Sequence, residues 1–426
     1  MASTNKRAGE EYPITLRKRR RIEEEEPEAS MESEELESGS GGFPSDMVIA
    51  ILSRVPVKAL FRFKSVCTNW DAAIPGNPRL VSMHLKNFTK ASLFCSYLED
   101  DGSSSGRHPP RSVSLCPEDD GDQPPTDERL PAETVICGTG NGLFLLRDNH
   151  HRSAPHPVTY HLWNPATRET RRLPDPPLAL FQRHCSDYAG IGLDSDADDD
   201  IKVVLIRKYH DLVAAFVYSL RSNRWRELEA AAGGGWAWQQ LQNPCSPTLT
   251  CHTYFKGSFY WLVRDLVKVM NYYVLAFDMG SHVFRRIDCP SGGDGVGPEF
   301  HLGLYGDSLA LFKGPVWSYS RVDVWLLSGG DDLCWIKHPC SGPLRTQSIV
   351  EGGWKSGQLI ARTHGPASER KRLILLDIGR QEHKLLIPNC RRTVHWHVYK
   401  QSLLPIKLRD RYQPEPEPEP ADDLGP

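Results

Sequence analysis

Three short patterns in this chain hold residue types that could do chemistry. Asp194-x-Asp196-x-Asp198 alternates carboxylates as a helix–loop–helix calcium loop does. Its sixth position, however, is Asp199 where glycine allows the sharp turn, and its twelfth is Leu205 where a bidentate glutamate closes the shell. A solvated acidic turn between two strands is the expectation. Gly138-x-Gly140-x-Gly142 has the look of a phosphate cradle, but strand-type residues follow where a helix should begin, so a tight strand turn is expected. His395-x-His397 places two imidazoles on one strand face without a cysteine or third histidine at short zinc spacing. These patterns lead to no expected metal, cofactor or catalytic residue.

Residues suited to recognition are more prominent. Lys6 and Arg7 precede Arg17, Lys18, Arg19, Arg20 and Arg21 by nine residues, a spacing close to a bipartite nuclear-import signal. Nonspecific phosphate binding and a simple solvated charge run are the rival readings. Trp236 and Trp238 sit in the loop sequence AAAGGGWAWQQ, where either a bound partner or the loop itself could cover them.

The elements that would position such groups begin with residues 43–70. Met47, Val48, Ile51, Leu52 and Val55 follow helical spacing, with Ser45 placed as a cap and Pro56 suited to the next first turn. Phe63, Val66, Cys67 and Trp70 repeat the spacing i, i+3, i+4, i+7. So short a segment has more apolar surface than it can bury alone, which implies a partner. NPRLVSMHLKN, at 77–87, fits one further helix or an ordered connector.

In order and spacing this stretch resembles the F-box: Phe43-Pro44, Ile51-Leu52, Val55-Pro56, Leu60, and Val66-Cys67 followed by Trp70. Phe43 and Val55 replace the family's leucines. Ala50 and Thr68 stand where an acid and a base are common. The resemblance implies that these ten residues contact the Skp-type adaptor of an SCF ubiquitin ligase and, through it, cullin. Trp70 and Leu52 are the expected anchors.

The 426 residues carry a net charge of −3, which conceals opposed tails. Residues 1–22 have seven Lys/Arg against two Glu, residues 23–37 hold nine Glu, and residues 414–426 hold five acids. The remaining body, at about +6, is too mildly basic for nucleic-acid binding to be expected. Eleven scattered cysteines without a Cys-x-x-Cys pair suggest free thiols in a reducing nucleus or cytoplasm. Neither a signal peptide nor a membrane-spanning run is apparent. Disorder is expected at 1–42, and an extended Pro/Glu tail at 409–426.

From about Ser92 the pattern becomes short apolar clusters between Gly, Pro, Asn and Asp, which reads as all-β. Five units repeat a large apolar residue ten positions before another: Trp163/Leu173, Tyr218/Leu228, Phe277/Ile287, Trp325/Trp335 and Leu376/Leu386. Their period is near fifty residues, as in kelch-like propeller blades. Segments at both ends of the region could share a closing blade, giving about six, although five or seven also fit. The fold class is therefore α+β multidomain: a helical segment at 43–88 and a β-propeller at 89–408.

CGTGNGL (137–143), LWNPAT (162–167), VYSLRSNRW (217–225) and KGSFYWL (256–262) resemble, in that order, the F-box-associated domain of plant F-box proteins. The two resemblances together imply a non-catalytic receptor that binds an unidentified target protein through the propeller. A nuclear scaffold without ubiquitination and a kelch-like propeller enzyme are the alternatives.

Overall fold

The computed structural model describes residues 45–66, 74 and, with several loops left out, 77–407. Among the described residues, three helices come first: α1 (Ser45–Leu52), α2 (Val57–Phe63) and α3 (Pro78–Asn87). The break between α1 and α2 is held by Ser53, whose Oγ donates to Ala50 O at 2.8 Å, and by Pro56, which caps α2 with an extended backbone. Ser45 is the first residue of α1, and Pro56 precedes the first turn of α2. The third helix follows from Asn77-Pro78: the Asn77 side chain accepts from Leu80 N at 3.1 Å, and proline occupies a position needing no donor.

Among the described residues, twenty-four strands then form six four-stranded antiparallel sheets. Five are blades made of consecutive strands, spanning 134–172 (blade 1), 186–227 (blade 2), 245–288 (blade 3), 299–338 (blade 4) and 348–390 (blade 5). A composite closing sheet joins β24 (Arg392–Lys400) to β1 (Ala91–Leu98), β2 (Arg111–Pro117) and β3 (Thr126–Asp127). Pairing β24 with β1, from Ala91 opposite Lys400 to Leu98 opposite Arg392, ties the two ends of the β region together and gives β1 a partner on each side. Thus the fold is a few N-terminal helices followed by a β-propeller.

The ten-residue units of the sequence coincide with the third and fourth strands of the blades: Phe277, for example, faces Phe284 across such a pair. Turns between first and second strands include Asn141-Gly142 (φ 53° and 78°) and Lys256-Gly257 (φ 45° and 79°). Two successive positive φ values match the right-handed twist of the strands they join. Trp163 and Trp261 are buried between blades, the packing role expected for blade tryptophans.

Glycine on the inner strands lets neighbouring blades approach. A Cβ on Gly190 would lie 2.6 Å from the ring of Phe259 in blade 3, and one on Gly352 would strike the indole of Trp396 in β24. Gly138 and Gly140 belong to the same system: they sit in β4 (Thr134–Gly140) and face β8 (Ser186–Asp194). Their spacing serves packing between blades.

The acidic pattern at 194–200 needs correction in part. Asp194 and Asp200 are buried, not solvated; residues 195–199 lie outside the described residues. Asp194 pairs with Lys202, whose Nζ also lies 3.3 Å from Met279 O and 2.9 Å from His282 Nε2. Asp200 accepts from Ser219 Oγ at 2.6 Å and from Arg221 N at 3.0 Å. These carboxylates bind the second blade internally and to the third. His397 is likewise buried, with its ring edge-on to Phe144 at 6.0 Å. Among the described residues no three His, Cys, Asp or Glu groups cluster as metal ligands, and no helix is long and apolar enough to cross a membrane.

Candidate functional site

The helices have two faces with different occupants. On the inner face Ile49, Val57, Leu60, Ile74 and Leu80 are buried in one cluster with residues of the first two blades. Wedged into the same cluster is a strap, residues 401–406, which follows β24. Its Leu403, Leu404 and Ile406 are buried, each contributing about 1.5–3 kcal/mol by leaving water.

Hydrogen bonds set the path of the strap. Asn164, fully buried at the end of β6 (Tyr160–Asn164), donates from Nδ2 to Ser402 O at 3.0 Å and Leu404 O at 3.1 Å. Its Oδ1 accepts from Ala166 N at 3.0 Å, so both ends of the amide are used. Arg171 donates to Ile406 O at 3.2 Å. On the helical side, Val57 N donates to Gln401 Oε1 at 2.9 Å, giving a partner to one of the amides that a helix start leaves unsatisfied. The backbone of Lys400–Ser402 passes so close to Gly142 that no side chain fits there.

Buried polar contacts also join the helices to one another. His84 on α3 is fully buried; its Nε2–H donates to Val55 O at 3.1 Å. Burial pushes its pKa below the ordinary histidine value, opposed by that hydrogen bond. Asn87 donates to Ser53 Oγ at 2.8 Å, while Arg79 pairs with Asp46 at 2.5 Å on the surface.

The outer face is open. Met47 and Ile51, one helical turn apart on α1, are 50% and 58% exposed, and Val66 is 71% exposed. Pro56 is exposed as well. A surface that leaves large apolar side chains on a helix with no intramolecular cover is suited to a protein partner. Among the named adaptor-contact residues, therefore, Ile51, Pro56 and Val66 look outward. Leu52 and Val55 are half-buried against the shared core. Leu60 has no exposed surface and belongs to the buried cluster that α2 shares with the strap and the first two blades. Phe43, Pro44, Cys67, Trp70, Trp236, Trp238 and the basic residues Lys6, Arg7 and Arg17–Arg21 lie outside the described residues.

Residues 42–75 match the family model of the F-box domain, and residues 127–338 match that of the F-box associated beta propeller domain. The chain belongs to the F-box proteins. Its F-box is the helical segment just described, and its F-box-associated domain is the propeller that carries the strap. Relatives from Arabidopsis thaliana include F-box protein At5g49610, 26% identical over 311 residues and covering 69% of this chain and 77% of that one. Putative F-box protein At3g10430 is 27% identical over 279 residues, or 63% of this chain and 67% of that one. F-box/kelch-repeat protein At3g23880 is 24% identical over 267 residues, or 58% and 65%. Among solved structures, TolB from Acinetobacter baumannii has a TM-score of 0.42 at 10% identity, covering 72% of this chain and 66% of that one.

Sequence reasoning missed two features of this F-box protein. Met47 was part of the stripe but not singled out as an outward contact, although its spacing of four from Ile51 places both on one ridge. The strap is the second, since the region's end was expected only to share a closing blade. The signal was there in Ser402-Leu403-Leu404-Pro405-Ile406, an apolar run with a proline that a paired strand does not welcome.

Proposed function

We infer that this chain is the substrate-recognition subunit of an SCF-type ubiquitin ligase. In this reading the outer face of the F-box docks on a Skp-type adaptor, which links to cullin, while the propeller holds a target protein. The chain itself is non-catalytic and acts by proximity, keeping a target lysine at high local concentration near a ubiquitin-loaded enzyme. The observation that supports it most is the exposed Met47–Ile51 ridge on helices whose opposite face is fixed to the propeller. A fixed connection would hold the separation between adaptor and target constant. The blades are read as kelch-like, and the basic cluster at 6–21 as a nuclear-import signal.

Adaptor capture by the purified chain tests the central reading. Met47→Asp with Ile51→Asp should abolish capture and leave the circular dichroism spectrum of the propeller unchanged. Undiminished capture by that double variant would show that the adaptor, if bound, is held elsewhere. Fusion of residues 1–42 to a fluorescent protein tests import; even distribution between cytoplasm and nucleus would remove that proposal.

A further inference from the structure

A cavity of about 290 Å³ lies at the hub of the propeller. Its walls come from four strands that each end their sheet: β4, β12 (Cys245–Phe255), β16 (Glu299–Tyr305) and β24. β4 and β12 belong to blades 1 and 3, yet they touch, which places both on the axis of the ring. All four strands contribute their C-terminal halves, so the cavity occupies one mouth of the hub. Leu85 of α3 and Phe88 just beyond it border that mouth. The volume is at the lower end of small-molecule pockets, about 300 Å³.

The lining offers ring surface. Tyr254 donates its hydroxyl to Leu193 O at 3.0 Å, and Trp396 donates its indole N–H to Glu351 Oε2 at 3.1 Å. Their polar tips are engaged, so what they present to a ligand is the flat of the ring. Leu85, Leu302 and Leu304 extend the apolar wall.

One acceptor lacks its donor. Asn141 opens the Asn141-Gly142 turn at φ 53°, and that turn is pressed against the backbone of Lys400. Asn141 Oδ1 is buried and has no hydrogen-bond partner among the described residues, an arrangement that native structures rarely leave unfilled. An amide oxygen only accepts, so what completes it is an N–H or O–H. A carboxylate would set oxygen against oxygen. A cation fits no better: among the described residues no carboxylate side chain lines the cavity to hold one, and Lys400 in the lining would repel it.

We propose that this cavity binds a flat, uncharged ring compound carrying an O–H or N–H donor, its rings against Trp396 and Tyr254 and its donor on Asn141 Oδ1. Gln401, also in the lining, accepts from Val57 N, and α3 supplies Leu85, so a ligand here bears on the parts that join the F-box to the hub. The site is independent of the ligase reading.

The test uses the full chain, with 2-naphthol as probe, 2-fluoronaphthalene as the analogue without a donor, and 2-naphthoate as the anion. Saturation-transfer NMR, thermal shift and amide exchange supply readouts that need no ligase activity. Naphthol should give saturation transfer, raise Tm and slow amide exchange at the end of α3, and the other two should bind several-fold more weakly. Asn141→Gly keeps the positive-φ turn while removing the acceptor. It should leave the unliganded Tm in place and bring naphthol down to the level of the fluoro compound. Should that variant lose its fold, the comparison of the two compounds on the unaltered chain still decides. No response to naphthol, or unchanged exchange in α3, overturns the site. Equal binding of the fluoro compound, or an undiminished preference for naphthol in Asn141→Gly, overturns the donor assignment, and equal binding of naphthoate overturns the preference for an uncharged ligand.

Discussion

Asn164 donates to the carbonyl of Ser402 across 238 positions of sequence, and through it the first blade grips the strap on which the F-box rests. Asn164→Ala removes both strap bonds and the contact to Ala166 N, leaving two buried carbonyls without their partner. A loss of about 2–4 kcal/mol in urea denaturation is expected. Asn164→Asp should cost more, since a carboxylate would face carbonyl oxygens. A loss below 0.5 kcal/mol would show that the clamp is dispensable.

Removing the strap should release the helices while sparing most of the propeller. Truncation after Lys400 deletes Leu403, Leu404 and Ile406, uncovering the inner faces of α2 and α3. Amide hydrogen exchange should accelerate across 57–63 and 78–87, with blades 3 and 4 retaining protection. Truncation after Lys407, which keeps the strap, should leave both regions as they are.

Leu60 and Ile51 should separate stability from binding. Leu60→Ala opens a cavity in the shared core and should destabilise by about 2–5 kcal/mol. Ile51→Ala, at an exposed position, should change stability by less than about 0.5 kcal/mol and act on adaptor capture instead. Equal effects of the two on denaturation would contradict the two-faced arrangement.

Lys202 and Asp194 are both largely buried, so breaking the pair from one side leaves an uncompensated charge. Either Lys202→Met or Asp194→Asn alone should cost about 3–5 kcal/mol. The double variant should cost less than the sum of the two, and strict additivity would show that the groups do not interact.

Acid should weaken the fold through two histidines. His282 is lowered from 6.5 to about 4, mainly by burial and then by the flanking cations Lys202 and Arg226, against the opposing pull of Asp194 and Asp278. His84 is lowered by burial as well. A native pKa below the unfolded one means that the unfolded chain binds more protons between about pH 6.5 and 4. The stability that neutral His282 supports is thus complete above about pH 6.5 and declines as pH falls through that window, and His84 acts in the same direction. His282→Gln should flatten the decline in denaturation midpoints measured from pH 7 to 5.

Local periodicity was enough to reveal the helical segment and the β repeats, and the need to close an edge pointed to a sheet shared by both ends. Helix faces and strand alternation are written in spacings of a few residues, so the stripe from Met47 to Val55 and the unit from Phe277 to Ile287 can be read along the chain. The Gly-x-Gly-x-Gly and Asp-x-Asp-x-Asp patterns were legible as sequence but not as structure. What Gly140 or Asp194 does depends on Ile191, Lys202 and Met279, neighbours supplied only when blades pack.

By itself the sequence determined that a short apolar helical unit precedes a repeating β domain, because periodicity and turn chemistry are local properties. Only the tertiary structure decided which side of that unit is free. Leu60 and Ile51 are equally apolar, and no spacing rule says that a strap 340 residues later will cover one and leave the other to water. Burial is a property of the whole packed chain: the choice was made by Gln401 and Leu403, on the strap that Asn164 holds, which meet the helices only once the ring has closed.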